Sequence, residues 1–159
     1  MKDLYTGLVR PHLEYGVHVW SPYLRKDITR VEKVQRRATK RIPELRGNEY
    51  EKRLQKLGLT TLEERRMRGD SIETFKMING FENIEYSQFF QLNTSERSMR
   101  RHSKSIFKRR SRLQVRANFF SNRVVNQWNG LSKDVVSATS VNEFKNKYDS
   151  LIETRAYVA

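Results

Sequence analysis

The sequence predicts a mostly α protein, an irregular bundle of about five or six helices with a basic loop or arm. Three observations carry that reading. Apolar residues recur at steps of three and four, which puts them on one face of a helix. Two capping-box patterns, Thr61-Leu62-Glu63-Glu64 and Ser140-Val141-Asn142-Glu143, mark helix starts. Glycine or proline stands where several of those helices are expected to stop.

Taken in order, Leu4, Leu8, Val9, Leu13 and Val19-Trp20 suggest a first helical arm, interrupted near Pro11 because proline removes a backbone donor. Trp20-Ser21-Pro22-Tyr23 reads as a connection. Asp27 is placed to cap a second helix whose apolar positions Ile28, Val31, Val34, Ala38 and Ile42 face inward. Pro43 ends it. A short third helix covers Tyr50 to Leu57 and closes at Gly58, and a fourth runs from Leu62 to about Asn79 with Gly80 just beyond its end. Periodicity fades between Phe81 and Gln114, where a basic loop or arm with some extended structure is expected. Helix resumes at Phe120, Val124, Trp128 and Leu131, with Phe119 and Val125 widening the stripe and Asn129-Gly130 stopping it. The last helix starts at Ser140 and sets Phe144, Tyr148, Leu151 and Ile152 on one face. Phe119, Phe120, Trp128, Tyr15, Trp20 and Tyr23 are expected in the core. The implied organisation is one domain: a helical region 1–96, a basic arm 97–117 and a helical region 118–159 packing on the first.

Charge is distributed unevenly. Up to Glu96 there are 18 Lys+Arg and 14 Asp+Glu, from Arg97 to Lys133 there are 11 and none, and from Asp134 onward 3 and 4. Nearly all of the net +14 therefore sits in a stretch without a carboxylate, where no internal salt bridge neutralises it. Such a stretch calls for an outside anion or solvent, and nucleic acid is the partner class it favours. Arg100, Arg101, Lys104, Lys108, Arg109, Arg110, Arg112 and Arg116 form this run, and the Ser and Phe residues among them suit phosphates and bases. Two further groups, Arg36, Arg37, Lys40 and Arg41 on the second helix and Arg65 and Arg66 on the fourth, are candidate phosphate contacts. Otherwise they are solvated faces paired in part with Glu32, Glu63 and Glu64.

Several classes fall away. With no Cys there is no disulfide framework, no Cys-based zinc site and no thiol nucleophile, and an intracellular location, nuclear or cytoplasmic, is the simplest expectation. Arg10, His12 and Glu14 break any apolar run near the N-terminus, so neither a signal peptide nor a membrane span is expected. There is no Gly-rich phosphate loop, no HExxH and no close pair of Asp residues for two magnesium ions, so no catalytic residue, metal or cofactor is assigned. Ser105-Ile106-Phe107-Lys108 fits S-x-x-K without its supporting motifs, and His12, His18 and His102 form no aligned set.

The runs LVRPHLEYGVHVWSPYLRKDI, VEKVQRRATKRI, LGLTTLEERRMRGDSIETFKMING and FFSNRVVNQWNGLS, followed by SVNEFKN, carry a resemblance over almost the whole chain. In this order they resemble the C-terminal part of the reverse transcriptase polyprotein of non-LTR retrotransposons of the jockey and chicken-repeat kind. The matching positions are Arg10, Pro11, Tyr15, Trp20 and Pro22, then Gln35, Arg36 and Arg37, then Arg65 and Arg66, and finally Arg123, Trp128 and Asn129. The resemblance implies a thumb and C-terminal extension that grips RNA template or RNA/DNA hybrid, next to a polymerase palm that holds the catalytic aspartates. It therefore implies a chain inactive on its own. Some relatives carry a Cys/His knuckle, which the absence of Cys excludes here.

Overall fold

A computed structural model describes residues 1–93 and 102–158. The fold is mostly α, as the periodicity predicts. It comprises two compact units, Met1–Gly69 and Asp70–Ala159. Phe75, Met77 and Phe90 from before 96 share one cluster with Trp128, Val135 and Phe144 from after it.

In the first unit, helical turns Lys2–Leu4, Tyr5–Val9 and Arg10–Glu14 run on from one another. The irregularity lies upstream of Pro11, at the π-helical Tyr5–Val9, where the Arg10 N–H reaches back to the Tyr5 carbonyl. Pro11 then sits at the start of Arg10–Glu14, where its missing N–H costs least. Gly16, at φ +61°, turns the chain into Val17–Trp20. Tyr15, Trp20 and Tyr23 are not core residues: Tyr15 is 83% exposed, and the Trp20 indole N–H is used locally on the Tyr15 carbonyl.

The second helix, Arg25–Lys40, begins two residues before Asp27, which lies in its first turn and makes no side-chain cap. Its inward face also differs from the expected stripe. Glu32, Gln35 and Thr39 are buried, while Val34 is 37% exposed. The reason is a polar network assembled from other elements. Gln35 accepts from the Tyr5 hydroxyl at 2.8 Å and donates to the Tyr50 hydroxyl at 2.8 Å and the Thr60 carbonyl at 3.0 Å. Glu32 accepts from the Tyr50 hydroxyl and, at 3.0 Å, from the Leu62 N–H at the start of Leu62–Ile78, where the helix dipole favours an anion. Arg53 donates to Thr39 and to the Asn48 carbonyl. Around this network Tyr5, Tyr50, Leu54 and Leu59 supply the apolar cluster. The helix Tyr50–Leu57 closes at Gly58 with φ +59°, and Thr61 and Glu64 exchange the bonds of a capping box.

In the second unit, the aromatic side chains of Phe75 and Phe144 stack at 4.3 Å between centroids, and Trp128 lies on Phe144 at 6.1 Å. Helices Phe120–Asn129, Lys133–Val136 and Val141–Val158 supply the later part of this core, with Trp128, Val125 and Phe144 fully buried. Phe119 is 47% exposed, because it caps Phe120–Asn129 in an extended conformation outside the helical stripe. Ile152 is also exposed, and the buried face of Val141–Val158 is carried by Phe144 and Tyr148. The cap of that helix is shared: the Glu143 N–H donates to Ser140, while the Glu143 carboxylate accepts from Thr139.

Truncating Trp128 to Ala is expected to cost the second unit about 3–5 kcal/mol, read from urea unfolding; an unchanged midpoint contradicts its place in the core. Burial raises the Tyr5 and Tyr50 hydroxyls well above the ordinary value of 10.0, and Glu32 adds to both. Their neutral forms thus support the folded state in full below about pH 10, and that support fades as pH rises beyond it. Ionisation followed at 295 nm is expected to coincide with loss of helix in the first unit, and Tyr50→Phe to shift the alkaline transition. Ionisation of both hydroxyls in a chain that stays fully helical contradicts the network.

Candidate nucleic-acid interface

The described part of the basic run is not a free arm, and it is helical only at its end, in the short helix Gln114–Ala117. Its first residues are built into the second unit. His102, Ser105 and Ile106 are buried, and Leu92 and Ile106 form an antiparallel bridge flanked by Phe107 N–H to Gln91 O at 2.7 Å and Asn93 N–H to Ser105 O at 2.8 Å. Two neighbours on Phe120–Asn129 hold this segment. The Trp128 indole donates to the Lys104 carbonyl at 2.8 Å, and the His102 ring bonds the Trp128 carbonyl at 3.0 Å. The Asn129 carboxamide accepts from the Ile106 N–H and donates to the Ile106 carbonyl, both at 2.8 Å. That bidentate grip satisfies both polar groups of a buried backbone residue.

Beyond Ile106 the chain is exposed from Phe107 to Arg110, and it returns through the short helix Gln114–Ala117. Buried Asn122 secures this return, donating to Ser111 at 3.3 Å and to the Arg116 carbonyl at 3.4 Å. The result is a loop pinned at both ends by asparagines of one helix. Lys108, Arg109, Arg110, Arg112 and Arg116 are exposed on it, and none of the five forms an ion pair with a described residue. Arg116 lies over the Phe119 ring at 5.5 Å, and Phe107 is 49% exposed beside Lys108.

Lys104 and Arg123, also in the acid-free stretch, are employed inside the unit, while Lys133 is exposed. Lys104 donates to Asn79. Arg123 makes a two-pronged pair with Asp70 at 2.9 Å, so a carboxylate remote in sequence neutralises one charge of the run. Arg100 and Arg101 lie outside the described residues.

The remaining candidates belong to the first unit. Arg37, Lys40 and Arg41 are exposed on or just after Arg25–Lys40, and Arg36 stacks over the Tyr50 ring at 4.2 Å. The carboxylates expected to pair with them are committed elsewhere: Glu32 to Tyr50 and Leu62, Glu63 to Arg25 at 3.8 Å, Glu64 to Thr61. Arg65 donates to both oxygens of Glu14 within the first unit, and Arg66 is buried, only 3% exposed, so neither presents a free guanidinium on the surface as a phosphate contact requires. Ser105, the S-x-x-K serine, is completely buried. Among the described residues no group of His, Asp and Glu is placed to hold a metal ion, and no helix is long and apolar enough to cross a membrane.

Sequence reading missed the anchoring role of Asn122 and Asn129. The signal was compositional: the ten-residue helix FSNRVVNQWN spends three positions on asparagine, a weak helix former whose presence points to side-chain work. No protein-family model matches this chain, nor does any curated protein or solved structure.

Replacing Asn129 by Leu strands the Ile106 N–H and leaves the Ile106 carbonyl only the longer bond from the Asn93 carboxamide at 3.3 Å. The expected cost is about 1–3 kcal/mol for each buried group left unsatisfied, together with faster hydrogen exchange at the Ile106 and Phe107 amides. Unaltered exchange there rules out Asn129 as the anchor.

Proposed function

We propose that the chain is a non-catalytic nucleic-acid-binding element, the C-terminal portion of a retrotransposon RNA-directed DNA polymerase, gripping RNA template or RNA/DNA hybrid through backbone phosphates. The observation that carries this reading is the pinned loop with five exposed cations that form no ion pair with a described residue, and no carboxylate in its own stretch of sequence. Four of the five are arginine, whose planar fork suits phosphate oxygens. The resemblance supplies the identity of the parent enzyme and the nature of the template; the charge supplies the phosphate chemistry.

Contacts of this kind neutralise phosphates and release counterions, with a single-strand slope of roughly 0.7 in log K against log salt per phosphate. Engagement of all five cations then gives a slope of about 3.5. A titration of the chain with single-stranded RNA and with RNA/DNA hybrid at two salt concentrations reads it directly. Arg109→Glu with Arg110→Glu is expected to weaken binding across all sequences alike and to reduce the slope by about 1.4 or more. A loss confined to one sequence, or binding indifferent to salt, contradicts backbone-dominated contact.

A second reading is favoured by one feature of the first unit. Leu4, Leu8, Tyr15 and Val19 are each more than half exposed at its N-terminal end, an apolar surface suited to packing on another domain such as the polymerase palm. Self-association of the purified chain without oligonucleotide binding selects this helical interaction module, or inactive remnant, over the first reading.

A further inference from the structure

An open cleft of about 660 Å3 lies where the basic loop leaves its anchor, with Asn93, Phe107, Lys108 and Asn126 among its walls. The volume falls within the roughly 300–1,000 Å3 of small-ligand sites. Its chemistry is unusually specific for a surface feature. Phe107 is 49% exposed, yet its backbone is fixed by the bond to Gln91, so the ring is a platform on a rigid support. Asn126 brings an exposed carboxamide from Phe120–Asn129, offering a donor and an acceptor side by side. Lys108, exposed and next to Phe107, brings a cation, and Arg109 and Arg110 continue the charge away from the cleft.

An aromatic face, a carboxamide and a cation match the three parts of an unpaired nucleotide: a π face, a hydrogen-bonding base edge and a phosphate one sugar away. We propose that this cleft takes one unpaired nucleobase of a single strand, stacked on Phe107, with its edge at Asn126 and its phosphate at Lys108. The inference rests on the nucleic-acid reading of the basic loop and adds what that reading lacks, a preference for unpaired over paired bases. In a duplex the π faces are covered by neighbouring pairs, and the cleft has nothing to receive.

Fluorescence anisotropy with two labelled strands of equal length and charge tests this, one carrying bases and one made of abasic sugar phosphates. The wild-type chain is expected to bind the base-bearing strand about tenfold more tightly, in line with one stacked base. Phe107→Ala is expected to erase that preference while leaving abasic-strand binding as it was. Asn126→Ala, at an exposed position that does not threaten folding, is expected to reduce the preference several-fold. Arg109→Glu with Arg110→Glu is expected to weaken both strands together. Run with RNA and with DNA, a base preference in either sugar supports the proposal and shows which strand the cleft accepts. Equal binding of both strands by the wild-type chain overturns the base subsite while the phosphate reading stands. So does a preference that survives both Phe107→Ala and Asn126→Ala. Failure of either strand to bind at low salt overturns the nucleic-acid reading and this inference with it.

Discussion

Shortage of hydrocarbon is the constraint from which this structure follows. Only 36% of the residues are hydrophobic, and they have to furnish two compact units. The second unit takes most of the large aromatics, with Phe75, Phe90, Phe120, Trp128, Phe144 and Tyr148 in one cluster. The first unit is left with a small apolar cluster and fills its centre with Glu32, Gln35 and Thr39 instead. Burying an amide and a carboxylate is tolerable only when each polar atom is met, and the two tyrosine hydroxyls, the Thr60 carbonyl and the Leu62 N–H meet them. Those partners come from three separate stretches of chain, around Tyr5, Tyr50 and Thr60 to Leu62, so the network also fixes how the helices of this unit are arranged. A hydrocarbon core of the same size sets geometry far less narrowly, since apolar contact has no direction.

How much of this was legible in the sequence depends on the range of the interaction. Tyr50–Leu57, its Gly58 stop and the Thr61–Glu64 box are decided within a few residues, and the structure places them where the pattern does. The centre of the inward face of Arg25–Lys40 is decided by partners 15 to 30 residues away; hydrophobic spacing found its flank, where Ile28, Val31 and Ala38 are half-buried, but not the buried polar residues or the exposure of Val34. An apolar residue such as Val34 tolerates exposure at little cost, whereas an unmet Glu32 carboxylate does not tolerate burial. Given a choice of face, the polar network prevails. Phe119 shows the same limit in miniature: one residue outside the helix, spacing no longer says where a side chain goes.

The candidate interface divides along the same line. The excess of positive charge was plain from the sequence, yet its anchoring was not, because Asn129 reaches Ile106 across 23 positions. Neither was the employment of Arg123, whose partner Asp70 is 53 positions distant. Of the residues on which the retrotransposon resemblance rests, Gln35, Arg65, Arg123, Trp128 and Asn129 all hold the fold together. The exposed cations of the loop lie outside those matching positions. The resemblance and the charge are therefore independent supports: one concerns the kind of scaffold, the other what the scaffold presents.

Anchoring changes what the basic loop is able to do. Lys108 to Arg116 on a free arm would lose conformational freedom at each phosphate contact, and part of the electrostatic gain would be spent on ordering. Here Asn129 holds the residue before the loop and Asn122 holds its return, so much of that ordering is already complete when the chain folds. Pinned ends also keep Phe107 and Lys108 in a fixed relation to Phe120–Asn129. Asn126 on that helix can thus act together with a ring and a cation from the loop, an arrangement that a disordered basic tail of identical charge would not sustain. Charge alone attracts a polyanion anywhere along its length; a positioned ring beside the charge is what can tell an unpaired base from a paired one.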